Sequence, residues 1–227
     1  MKHTMIAATV TLVTLVTVAP ALAEATTLAG RPAQQPASVD ARQKLLDNVA
    51  SLNEDLVQFA LDGNAAKAAA TASAIAASLP KLRTAVSGTT LTGIESRVRE
   101  QGAAVKRGDW TATALVSVEI YRLLQEAIDP RSRRVPVQVA LLDYAGFKIL
   151  AVAKGNPVDW ASINVTVKEA ASSWKSVEPR IRSVALRSTL GSIMTGLADA
   201  SALKDSAYTA FAARMLLESV DLLEGQF

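Results

Sequence analysis

The chain has 227 residues, with 24 Lys and Arg against 21 Asp and Glu, one His and no Cys. The chain has no Cys, and cleavage of the signal peptide predicted below would remove the one His, His3, so we expect no Ser-His-Asp or Cys-His triad and no typical zinc, copper or haem-His site. The near balance of charge argues against nucleic-acid binding, which needs a concentrated basic surface. We therefore expect neither an enzyme nor a cofactor.

Residues 1–23 have the pattern of a Sec-type signal peptide. Lys2 precedes the apolar stretch Met5–Val18, and Ala21-Leu22-Ala23 is a small-x-small cleavage pattern. An uncleaved anchor helix is the alternative, but the stretch is shorter than the roughly 20 residues that a span needs. Cleavage after Ala23 predicts a periplasmic or secreted protein of 204 residues with no stable membrane insertion. The lack of Cys, and hence of disulfides, favours a bacterial periplasm.

The rest of the chain predicts an all-α fold. Residues 24–39 are small, polar and proline-bearing, which is typical of a flexible tether. Beyond them, long Ala- and Leu-rich segments alternate with short Gly- and Pro-containing connections, so successive helices should run antiparallel. The pattern predicts helices over about 40–62, 65–79, 90–107, 109–128, 136–154, 157–177, 180–198 and 203–224.

A faint internal repeat divides these eight helices into two groups. The segment "SLPKLR" at 78–83 resembles "VEPRIR" at 177–182, and the same offset of 99 residues pairs Glu119 with Glu218. We predict a first helical unit over 40–129 and a second over 130–227, within one compact domain. The units are expected to form either a bundle or a short array of helical hairpins.

Three Gly-Asn or Gly-Asp pairs separate helices. Gly63–Asn64, Gly108–Asp109 and Gly155–Asn156 each combine a residue that ends a helix in the left-handed conformation with one that caps the next. Trp110 and Trp160 follow two of these pairs. We interpret both as packing residues that join the helices of a hairpin, with ligand stacking as the alternative.

Asp143 lies in an otherwise apolar segment, "VALLDYAGFKIL". A buried carboxylate is costly unless it is paired, so we expect it to accept a hydrogen bond from an Arg, Tyr or Trp and to fix how the two units pack. The candidate partners on apolar segments are Arg83, Arg182 and Arg187. The alternative is that Asp143 is a ligand in an interior site.

Two glutamates raise the same question on other helices. Glu119 has Arg122 three residues later, and Glu218 has Arg214 four residues earlier, so each is predicted to form an ion pair within its helix. The alternative is a carboxylate site for a hard cation such as calcium, magnesium or ferric ion. Its candidate ligands are Asp143, Glu119, Glu218 and Asp221.

The predicted connection between the units, "DPRSRRVP", carries Arg131, Arg133 and Arg134. We expect a solvated loop, and contact with an anion, an acidic partner or a phospholipid surface is the alternative. Taken together, the sequence predicts an exported, non-enzymatic binding or interaction module. It would bind a protein or a small ligand in a groove between its units, and the alternative is a protein that binds or delivers a hard cation.

Overall fold

A computed structural model describes the backbone over 36–227 and the side chains over 41–227. The predicted signal peptide and residues 24–35 of the predicted tether lie outside the described residues. Within them the fold is all-α, as predicted, with eight α-helices, two short 3-10 turns and no strand. The helices are α1 Pro36–Leu61, α2 Ala65–Ala85, α3 Gly88–Arg107, α4 Trp110–Ala127, α5 Val137–Ala153, α6 Trp160–Val177, α7 Val184–Leu203 and α8 Ser206–Glu224.

The helices pack as two four-helix groups with the same pattern of neighbours. In the first group α1 packs on α2 and α4, and α3 packs on α2 and α4. In the second group α5 packs on α6 and α8, and α7 packs on α6 and α8. We call α1–α4 the N-terminal unit and α5–α8 the C-terminal unit. They meet mainly where α4 packs on α5, with α1 also touching α5.

Each unit encloses its own apolar core, because Leu, Ile and Val recur every three or four residues along its helices. The N-terminal core is centred on Leu46, Leu56, Ile75, Leu82, Ile94, Ile120 and Leu124, and the C-terminal core on Leu142, Ile149, Ile163, Leu190, Leu197 and Leu216. Helix α5 contributes to both, since Tyr144 packs into the first core and Leu142 into the second. This explains why the segment around Asp143 is apolar on every side.

Two of the three predicted Gly-Asn/Asp boundaries are confirmed. Gly63 and Gly108 both have a positive φ, and Asn64 and Asp109 each accept a hydrogen bond from the backbone N–H three residues later. The third boundary is wrong, because α6 begins after Asp159, whose side chain caps its first turn. Asp159 directly precedes the apolar residues of α6 and caps the helix. The predicted cap was Asn156, three residues earlier in the chain.

Prolines account for two differences in helix length. Helix α1 begins at Pro36, inside the segment predicted as tether, and proline is well tolerated in the first turn of a helix. Helix α2 continues past Pro80 to Ala85, although the sequence predicted an end before the proline. Burial of Leu82 in the N-terminal core compensates for the backbone hydrogen bond that Pro80 cannot donate.

Among the described residues, no helix combines the length and the apolar character needed to cross a bilayer.

Candidate functional site

A cavity of about 450 Å³ lies between the two units, and we call it the acidic cavity. Its walls come from α1 of the N-terminal unit and from α5 and α8 of the C-terminal unit. Six of its lining side chains are acidic and two are basic. The polar lining is Glu54, Gln58, Asp62, Asp143, Lys154, Arg214, Glu218, Asp221 and Glu224, and the apolar lining is Leu61, Phe147, Leu150 and Leu217.

Asp143 faces this cavity, and of the donors predicted for it, an Arg, a Tyr or a Trp, the structure provides a tyrosine. No arginine or lysine of the described residues lies within ion-pair distance of it, and Arg83 instead pairs with Glu95 at 2.7 Å. The polar neighbour is the tyrosine hydroxyl of Tyr121 on α4, which donates toward Asp143. Burial raises the pKa of Asp143 well above its ordinary value, and the surrounding carboxylates raise it further.

Glu54 on α1 is a site residue that the sequence analysis missed. Burial raises its pKa from 4.5 to about 7, with further contributions from Glu224, Asp55 and Asp221, while a hydrogen bond from Tyr121 opposes the rise. Nothing in the segment "SLNEDLVQFAL" distinguishes Glu54 from an ordinary charged residue on a helix surface. The position becomes special only because α5 and α8 of the other unit cover it.

A second cavity of about 390 Å³ adjoins the first and shares Glu54 and Glu224 with it. We call it the loop cavity, because residues 132–136 of the connection between the units form one wall. One arginine of the loop differs from the solvated loop that we expected. Arg133 is half-buried and donates to both the side chain and the carbonyl of Gln125, while its Nε is buried with no partner among the described residues. Arg131 and Arg134 are exposed.

Glu119 lies outside both cavities, at the contact between α4 and α5. It accepts hydrogen bonds from Tyr144 Oη at 2.8 Å and Lys148 Nζ at 3.0 Å, and it forms the predicted ion pair with Arg122, at 3.2 Å. Lys148 Nζ also lies 2.6 Å from Tyr144 Oη. Burial alone would raise the pKa of Glu119, but the hydrogen bonds and the two cations lower it overall. This cluster ties the two units together.

The structure therefore separates the four carboxylates of the hypothetical metal site. Asp143, Glu218 and Asp221 line the acidic cavity, whereas Glu119 lies in a different cavity of about 330 Å³. Within the described residues, no group of three or more His, Cys, Asp or Glu side chains is arranged to hold a metal ion. The predicted ion pair between Glu218 and Arg214 is not formed, although both side chains line the acidic cavity.

The two tryptophans singled out from the sequence begin the fourth helix of the N-terminal unit and the second helix of the C-terminal unit. Trp110 and Trp160 are the first residues of α4 and α6, and each packs, partly buried, against the core of its own unit. Neither is among the residues that line the acidic cavity or the loop cavity.

Comparison with protein-family models, curated proteins and solved structures found no match to this chain.

Proposed function

We propose that this protein is an exported, non-enzymatic binding protein that takes a ligand into the acidic cavity between its two four-helix units. The observation that carries the proposal is the cavity itself. Its volume of about 450 Å³ lies in the range of small-molecule sites, and it combines apolar side chains with a few converging polar ones. Junctions between structural units are also common places for such sites.

The lining of the cavity favours binding over catalysis. Glu54 and Asp143 both lie in this lining, although the sequence analysis identified no such acid pair. The described lining residues include no Ser, Thr, Tyr or Cys, so only a carboxylate or Lys154 is present as a nucleophile. The hydroxyl of Tyr121 reaches the pair from the side of the loop cavity. A pair of protonatable carboxyls with an apolar wall beside them is suited to recognising a ligand of opposite charge.

Filling the cavity should abolish binding. Gln58 is exposed on α1 and lines the acidic cavity, so Gln58→Trp should occupy the space without disturbing a core. Native mass spectrometry of the mature protein purified from periplasm should show a bound species for the wild type and only the bare chain for Gln58→Trp. Asp55→Trp, on the same helix but outside the lining, is the matched control and should keep the ligand. A bare wild-type chain, or a ligand retained by Gln58→Trp, would contradict the proposal.

Export makes a separate prediction about residues 1–23. If cleavage follows Ala23, N-terminal sequencing of the periplasmic protein should begin at or next to Glu24. Detection of the intact chain from Met1, in the membrane fraction alone, would overturn the proposed localisation.

A further inference from the structure

We propose that the ligand of the acidic cavity is an organic cation, an amine with an apolar body, whose charged group lies against Asp143 and Glu54. This inference rests on the proposed function and adds the chemical class of the ligand. It is carried by the charge of the cavity, by the absence of a described Lys or Arg within ion-pair distance of Asp143, and by the apolar wall of the cavity.

The charge balance is the first argument. The cavity brings six acidic side chains together with only two basic ones. Of those two, Lys154 donates a hydrogen bond from its Nζ to the backbone carbonyl of Leu61, and Arg214 forms no ion pair with a described residue. A cavity lined predominantly by one sign of charge concentrates ligands of the opposite sign.

The position of Asp143 is the second, independent argument. Its carboxyl lies among side chains of α5 and faces the cavity, with the hydroxyl of Tyr121 as its hydrogen-bond donor and no described cation within ion-pair distance. Glu119, at the contact between α4 and α5, accepts hydrogen bonds from Tyr144 and Lys148 and forms an ion pair with Arg122. Asp143 is instead favoured in its protonated form, because burial and the surrounding carboxylates raise its pKa, and a cationic ligand can supply the counterion that its ionised form lacks among the described residues.

The apolar wall distinguishes an organic cation from a metal ion. Phe147, Leu150 and Leu217 line the cavity beside Asp143, and they offer nothing to a hydrated ion. A hard cation such as calcium needs six to eight oxygen ligands, whereas an ammonium group needs two or three acceptors and brings hydrocarbon that can cover the apolar wall. The described residues contain no group of three or more convergent metal ligands.

A cation at this place should bind with the release of a proton. The groups that face Glu54 are Asp55 on α1, Tyr121 on α4, Asp143 on α5, and Asp221 and Glu224 on α8, with Arg134 of the loop acting on Glu224. Burial of Glu54, together with the neighbouring carboxylates, raises its pKa to about 7, so the pair keeps a proton up to about neutral pH and a bound ammonium group would displace it. The affinity for an amine should therefore increase by up to about tenfold per pH unit as pH rises toward 7.

Three probes of similar shape test the charge of the ligand: 2-phenylethylamine, 2-phenylethanol and 3-phenylpropanoate. Isothermal titration calorimetry at millimolar concentrations should show binding of the amine alone, with proton release detected in two buffers of different ionisation enthalpy. The double variant Glu54→Gln/Asp143→Asn should weaken binding of the amine by about tenfold or more. Glu100→Gln, which removes an exposed carboxylate on α3 outside the lining of the cavity, should change it by no more than about twofold.

The possible failures are distinguishable. Binding of the alcohol or the carboxylate as tightly as the amine, lost in Gln58→Trp, would overturn the ligand class and leave the proposed function in place. Amine binding that the double variant does not weaken, or competition by calcium or ferric ion at the same carboxylates, would also overturn it. The inference fails if no probe binds, and the proposed function fails with it if the protein from periplasm also carries no ligand.

Discussion

Replacing Glu54 with glutamine should raise the free energy of unfolding by about 3 kcal/mol at pH 8 and change it little below pH 4. The reason is the rise of the pKa of Glu54 from 4.5 to about 7 on folding. Below pH 4 the carboxyl is protonated in both states and contributes nothing. Between pH 4.5 and 7 the unfolded chain releases its proton first, so stability falls as pH rises. Above pH 7 the full penalty of a buried carboxylate remains, and glutamine removes it.

Urea denaturation of the ligand-free wild type and Glu54→Gln across pH 4 to 8 measures this difference. Glu100→Gln is a suitable control, because Glu100 is exposed on α3 and, among the described residues, its side chain accepts a hydrogen bond only from Ser96 Oγ. The control should follow the wild-type curve at every pH. A Glu54→Gln variant that is less stable than the wild type at pH 8 would show that Glu54 has a cationic partner in the folded protein.

Replacing Glu119 with glutamine should have the opposite effect and destabilise the protein by about 2 kcal/mol at neutral pH. Glu119 accepts from Tyr144, Lys148 and Arg122, and the change leaves Lys148 without its counterion at the contact of α4 with α5. The cost is below that of a fully buried pair, because the side chains of Glu119 and Lys148 are 21% and 23% exposed. Since folding lowers the pKa of Glu119, its contribution is present above about pH 4.5 and is lost as pH falls further.

A double-mutant cycle with Lys148→Met should give a coupling energy of about 1 kcal/mol across the contact between the units. Glu126→Gln is the matched control, since Glu126 pairs with the same Arg122 at 3.1 Å but its side chain is 44% exposed. Its cost should stay below about 0.5 kcal/mol. Equal losses for Glu119→Gln and Glu126→Gln would show that the contact between α4 and α5 does not depend on this cluster.

Local patterns were sufficient to predict the helices. The periodic Leu and Ile residues, together with caps such as Asn64 and Asp109, define most boundaries to within a few residues. The errors occur where a distant contact outweighs a local signal. Helix α2 continues through Pro80 because Leu82 is buried against helices that lie far along the chain. Helix propensity describes how a segment behaves in isolation. In the folded protein most of the stability of a helix comes from its packing, which can outweigh an unfavourable propensity.

The site was predictable only in part, for an electrostatic reason. Asp143 was noticeable because a charge within an apolar segment is unusual at any position. Glu54 was not, because it lies on an ordinary amphipathic helix, and its environment comes from α5 and α8. The sequence left the donor to Asp143 open between Arg, Tyr and Trp, because it does not show which of these side chains reaches the carboxyl, and the structure provides Tyr121.

The sequence by itself therefore determined the all-α class, the number of helices in the described residues and the choice of Asp143 and Glu119 as unusual residues. These predictions follow from the composition and from the spacing of apolar residues over a few helical turns. Both depend only on residues that are close together in the chain. Only the tertiary structure decided that Glu119 is satisfied by Tyr144 and Lys148, whereas Asp143 lies with Glu54 in the lining of one cavity. The energy of a charge depends on which groups surround it in space, and here those groups come from helices of both units.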